Sequence, residues 1–158
     1  MTCLVASSEG WMVADRRLTM GTEIGETTKI HRFGRCLVAF TGAPGAILAE
    51  LSKQRHLGTW PRLEIARAMS QVNEPDTAAL VLDRAGLWRI CEDGHTWPAW
   101  NKIDTLGSGG DLARGYLTGF AAAGGTIGMD QVKAAVEFAA TVDAGCGNGV
   151  QIEYLYTD

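Results

Sequence analysis

The sequence predicts an α+β fold in which antiparallel sheets carry helices on their outer sides. Three observations lead there. Apolar, strand-like runs come in pairs joined by short turns. Two helical stretches follow the first group of strands, and two more follow the second. A last alternating run then closes the chain. That order of strands, helices, strands, helices and strand differs from the regular strand–helix alternation of parallel sheets. With 158 residues, 46% apolar and 20% charged, the chain can bury a core without metal or disulfide staples. One domain over residues 1–158 is expected, since no linker and no internal repeat interrupts the pattern.

Taken in order, Thr2-Cys3-Leu4-Val5-Ala6 is a short strand, Ser8-Glu9-Gly10 a turn, and Trp11-Met12-Val13-Ala14-Asp15 a returning strand. This hairpin ties down an N-terminus that otherwise frays. Residues 18–25 are small and polar with two glycines, and read as a loop or twisted ribbon. Residues 27–33 form a loosely alternating strand. Cys36-Leu37-Val38-Ala39-Phe40-Thr41 is a continuous apolar run, the mark of a strand covered on both faces. A tight Gly42-Ala43-Pro44-Gly45 junction leads into a helix with Ile47, Leu48 and Leu51 on one face. A shorter helix is expected over residues 62–72, with Pro61 at its start.

Residues 77–83 and 87–91 make a second hairpin around Arg84-Ala85-Gly86. Residues 95–105 carry no clear period. Leu106-Gly107-Ser108-Gly109-Gly110-Asp111 is a glycine-rich strand-to-helix turn, followed by Leu112, Ala113, Tyr116, Leu117 and Phe120 at helical spacing. Gly124-Gly125 ends that helix. Asp130 is the expected cap of the next, whose apolar positions are Val132, Ala135, Val136, Ala139 and Ala140. After a loop over residues 143–149, residues 150–156 alternate as a final strand.

Composition excludes several function classes. The net charge is −4 and the basic residues are scattered, so no footprint for a nucleic-acid backbone exists. No apolar stretch nears the ~20 residues that span a bilayer, and no signal-peptide pattern opens the chain. Cys3, Cys36, Cys91 and Cys146 form no CxxC pair, and His31, His56 and His95 lack zinc spacing from them. Free buried thiols, no metal, no cofactor and a reducing, cytoplasmic setting are expected. Gly107-Ser108-Gly109-Gly110 lacks the spacing and lysine of a phosphate-binding loop, so a plain turn with a helix start is the simpler reading. The tryptophans, Trp97 and Trp100 among them, read as core or subunit-contact residues.

The chemistry gathers at the front. A small second residue permits removal of Met1, which leaves Thr2 with a free α-amine beside its own hydroxyl. An α-amine has a reference pKa of ~7.7–8.0 and can act as the base that activates that hydroxyl near neutral pH. Such a nucleophile needs a nearby cation and an anion to orient it. Asp15 and Lys29 offer the pair, because the hairpin returns from residue 2 to residue 15 and a further strand through Lys29 can run alongside.

The chain resembles proteasome β-subunits, and most closely the HslV-type N-terminal-threonine peptidases among the N-terminal nucleophile hydrolases. The matching stretches are Thr2-Cys3-Leu4-Val5, residues 14–19, Thr28-Lys29-Ile30, Ala39-Phe40-Thr41-Gly42, residues 103–110 and residues 134–143. They fall in the family order and cover nearly the whole chain. The resemblance implies a four-layer αββα sandwich. It makes Thr2 the nucleophile, Asp15 the acid that holds the lysine, and Lys29 the cation that favours the alkoxide-like transition state. Thr19 would align substrate through its backbone as an added strand. Gly42 would bind substrate and lend its N–H to the oxyanion hole. Ser108 would hydrogen-bond near the threonine amine, and Asp143 would support both. Peptide or unfolded-protein substrates, a homo-oligomeric ring and an ATP-dependent unfoldase partner are implied as well.

Three features depart from that pattern. Cys146 stands where a serine is usual, the short stretch before Thr77 leaves room for only a truncated second helix, and the spacing from Thr2 to Lys29 is slightly tighter than the family's. A small-molecule amidase using the same nucleophile and a non-catalytic ring subunit are the competing functions.

Overall fold

The computed structural model describes residues 2–20, 22–53 and 61–156. The first hairpin pairs β1 (Leu4–Ser7) with β2 (Trp11–Asp15), Leu4 opposite Ala14 and Val5 opposite Val13. Two distant strands complete this antiparallel sheet. β10 (Ile103–Leu106) lies beside β1, and β11 (Val150–Tyr154) beside β2 with Val150 opposite Asp15. A second antiparallel sheet runs in chain order through β5 (Ile30–Phe33), β6 (Cys36–Phe40), β7 (Ala79–Asp83), β8 (Gly86–Ile90) and β9 (Thr96–Pro98). A separate ribbon pairs β3 (Arg17–Met20) with β4 (Glu23–Glu26). The helices are α1 (Gly45–Lys53), α2 (Pro61–Val72), α3 (Ser108–Ala122) and α4 (Met129–Val142). None of the described helices is long and apolar enough to cross a membrane.

Strand periodicity explains three apolar clusters. Successive side chains of a strand point to opposite faces, so β1 sends Leu4 and Ala6 one way and Val5 the other. Leu4, Ala6, Met12 and Ala14 join Ile30, Leu37, Ala39, Leu80 and Leu82 in a cluster shared by the two sheets. Cys3, Val5 and Val13 pack with Ala113, Leu117, Val132, Ala135, Val136 and Ala139 of α3 and α4. Cys36, Val38 and Phe40 pack with Ile47 and Leu51 of α1 and with Ile65, Ala68 and Met69 of α2. Hence β6 is buried along its full length, as its unbroken apolar run predicts.

Several details correct the sequence expectations. Asp130 does not cap its helix. Gly128 is the cap residue, and the Gln131 side chain accepts its N–H at 3.0 Å, leaving Asp130 in the first turn, where a carboxylate still suits the helix dipole. Residues 27–29 precede β5 rather than forming part of it. The unreadable residues 95–105 contain β9 and the start of β10, strands too short to show a period. Trp100 is 91% exposed and is no core residue. Cys91 is only half-buried, unlike the other three thiols.

Candidate active site

Asp15 ends β2 and is completely buried. A carboxylate can stay charged there only if donors surround it, and four do. Its Oδ1 accepts the Cys3 N–H at 2.7 Å and the Lys29 ammonium at 2.8 Å. Its Oδ2 accepts the N–H groups of Arg17 at 3.2 Å and Gly147 at 3.1 Å. The hairpin brings Cys3 to this carboxylate, and the same pairing carries the Asp15 N–H to the Cys3 carbonyl at 3.1 Å.

Lys29 reaches in from just ahead of β5 and is itself buried. Its Nζ touches Asp15 on one side and donates to Thr2 Oγ1 at 3.4 Å on the other. The three residues expected from the sequence therefore meet, with the ammonium between hydroxyl and carboxylate. A hydroxyl beside a fixed positive charge is stabilised as it gives up its proton.

The glycine-rich turn closes on the backbone of Thr2. Gly107 has φ 82° and ψ 168°, a region open almost only to glycine. A Cβ there would lie 2.1 Å from the Thr2 carbonyl oxygen. Gly109 donates its N–H to that oxygen at 3.2 Å, and a Cβ on Gly109 would strike Cys146 Sγ at 2.5 Å and Cys3 Cβ at 2.7 Å. These glycines are required by close approach to Thr2 and its neighbour, a use that the phosphate-loop comparison could not suggest.

Ser108 opens α3 and Asp143 closes α4. The Ser108 hydroxyl hydrogen-bonds Asp143 Oδ2, and Gly145 donates its N–H to Oδ1 at 2.8 Å. The Ser108 bond is the main reason the Asp143 carboxyl is held below its ordinary range. Ser108 lies between the two glycines that touch Thr2, so the pair borders the Thr2 backbone. Thr19 is exposed on β3 opposite Ile24. Gly42 follows β6 with φ 77°, against Thr77 Oγ1 and the Asp76 carbonyl. These two residues stand on elements separate from the Thr2, Asp15 and Lys29 group, held by contacts of their own.

Cys146 sits where its S–H can donate to Asp143 Oδ2 at 3.5 Å. Burial first, and then the nearby carboxylates, push its thiol up to about 12. Burial likewise pushes the Cys36 thiol up to about 12, and raises that of Cys3 further. A protonated, covered thiol alkylates slowly. Native protein treated with iodoacetamide at pH 8 is expected to gain one adduct, on Cys91, by peptide mass mapping. Rapid labelling of Cys3 or Cys146 would contradict the packing around Thr2. Among the described residues, no group of His, Cys, Asp and Glu could hold a metal ion.

Sequence reasoning missed Gly107, Gly109 and Gly147 as site residues. The signal was present as glycine clusters at residues 107–110 and 145–149, but which glycine meets which backbone depends on packing.

No protein-family model and no curated protein sequence matches the chain. Solved structures do. HslV from Trypanosoma brucei superposes with a TM-score of 0.69 at 18% identity, over 96% of this chain and 98% of that one. The BPH protein of Thiobacillus denitrificans, solved in complex with epoxomicin, gives 0.74 at 18% identity over 99% and 100%. Anbu, described as an ancestral beta-subunit, from Yersinia bercovieri gives 0.77 at 12% identity over 100% and 84%. At such identities the likeness is one of fold, and the fold is proteasome-like.

Proposed function

We propose that this chain is a threonine-type peptidase whose nucleophile is Thr2, freed by removal of Met1. The observation that carries the reading is the Lys29 ammonium held between Thr2 Oγ1 and the buried Asp15 carboxylate. Thr2 Oγ attacks a peptide carbonyl, and its proton passes to the Thr2 α-amine. The Lys29 charge favours both the neutral amine and the developing alkoxide. An N–H from Gly42 meets the oxyanion. As the C–N bond breaks, the amine returns the proton to the departing nitrogen, leaving an ester on Thr2. Water adds to that ester and regenerates the hydroxyl. Ser108 and Asp143 orient the amine, and the Thr19 backbone lines up an extended substrate as an added strand.

The wider setting follows the same reading. Residues 1–158 form one domain with a four-layer αββα stack, cytoplasmic and assembled as a homo-oligomeric ring that takes unfolded chains from an ATP-dependent unfoldase. The proteasome-like fold of HslV and the other neighbours supports it.

Intact-mass measurement tests the reading. The purified protein is expected to lack Met1 and to gain one epoxomicin mass per chain, the compound carried by one structural neighbour. Retention of Met1 on the folded protein, with no adduct, would favour a non-catalytic subunit. Loss of Met1 with turnover of simple amides but not peptides would favour a small-molecule amidase.

A further inference from the structure

Lys29 must hold its ammonium within hydrogen-bond reach of two groups, yet it lies outside the ladder of β5. Among the described residues, that strand is also the edge of its sheet, with only β6 beside it. The outward backbone groups of Lys29 and Ile30 thus have no strand to pair with, although both residues are buried. Unsatisfied, each N–H would cost free energy and leave the segment loose.

The missing partner comes from the other sheet. Gln151 Oε1 accepts the N–H of Lys29 at 2.9 Å and that of Ile30 at 3.1 Å. Gln151 Nε2 donates to the Ile30 carbonyl at 3.0 Å. One side-chain amide therefore supplies both an acceptor and a donor, as a neighbouring peptide group would. Its own strand is anchored at the right place: Gln151 lies opposite Ala14 on β2, and Val150 lies opposite Asp15. The residue that holds the lysine backbone is thus one step from the strand position paired with the lysine's carboxylate partner.

We propose that Gln151 is a positioning residue, whose side-chain amide stands in for a missing strand and fixes the Lys29 backbone so that its ammonium meets Thr2 and Asp15. It rests on the peptidase reading only for the reaction it serves. No other side chain keeps all three bonds. Leucine fills the volume without polar atoms, glutamate keeps the two acceptor bonds and loses the donor, and asparagine is one methylene short.

The test reads the lysine itself. The chain has four lysines, Lys29, Lys53, Lys102 and Lys133. In protein labelled with 15N-lysine, the buried Lys29 ammonium should give a persistent NMR signal, identified by its loss in Lys29→Met. Lys53 and Lys102 are largely exposed and exchange with water. Gln151→Leu and Gln151→Thr are expected to shift or erase the Lys29 signal, while Gln151→Glu retains it at a lower melting temperature. The acid limb of kcat/KM should also move up by about one pH unit in Gln151→Leu, because a displaced ammonium no longer favours the neutral Thr2 amine. Gln151→Asn is read in the same way should both larger changes prevent folding. A folded Gln151→Leu, Gln151→Thr or Gln151→Asn protein whose Lys29 signal and pH limb match the wild type overturns the proposal. Were the wild-type protein inactive on peptides, the peptidase reading would fall, and the lysine signal would still decide the role of Gln151.

Discussion

Changing Thr2 to alanine is expected to abolish peptide hydrolysis while leaving the fold intact. The expected loss in kcat is on the order of 10⁶-fold, the scale seen when an acyl-transfer enzyme loses its nucleophile. The stability cost is small by comparison. The change removes one hydroxyl and one methyl group, and the bond from Lys29 to that hydroxyl is long, at 3.4 Å. A net hydrogen bond contributes about 0.5–1.5 kcal/mol, which moves Tm by only a few degrees, about 2–4 °C per kcal/mol, for a chain this size. The Lys29 ammonium keeps its stronger bond to Asp15 at 2.8 Å, so no charge is stranded. Fluorogenic-peptide kinetics and a thermal melt check both halves. Full activity in the alanine variant would remove Thr2 from the chemistry altogether.

Lys29→Met should damage both stability and activity. Methionine matches the stem of lysine but brings no charge, and Asp15 stays fully buried. Removing one partner of a buried ion pair costs about 3–5 kcal/mol, because the other charge is left uncompensated. The three backbone N–H groups on Asp15, from Cys3, Arg17 and Gly147, soften that cost without cancelling it. A fall in Tm of roughly 6–20 °C is expected. Adding Asp15→Asn to Lys29→Met should recover only part of the stability, since a neutral amide no longer needs the cation but its Nδ2 must face a backbone N–H that now donates to a carboxylate oxygen, and it should restore no turnover. Recovery of both in the double variant would show the lysine to be structural only. Lys29→Arg is not expected to rescue activity, because a planar guanidinium cannot replace a compact ammonium in this space.

Much of this arrangement was legible in the residues. Local patterns gave the first hairpin, the glycine turn before α3 and the helical faces of α3 and α4, because each has a period within a few residues. Thr2, Asp15 and Lys29 could be grouped since a hairpin and one further strand suffice to bring them near. What escaped depends on contacts between distant segments. Gly147 meets Asp15 across 132 positions, and Gln151 meets Lys29 across 122. No short-range signal marks either. Asp130 was misread because an acidic residue at the start of a helix suits both the cap and the first turn. The size of Trp100 suited either a core or a subunit contact, and its exposure removes the first of these.

The four donors around Asp15 also bear on biosynthesis. Cys3 lies just ahead of β1, Arg17 opens β3, Lys29 lies just ahead of β5, and Gly147 lies 132 positions beyond Asp15. While a ribosome is still translating the middle of the message, the carboxylate lacks a donor and Lys29 lacks its tether. Long-range closure of this kind comes late in folding. On the proposed reading, the surroundings of Thr2 are therefore complete only once residues 147–151 have been made and have docked beside β2.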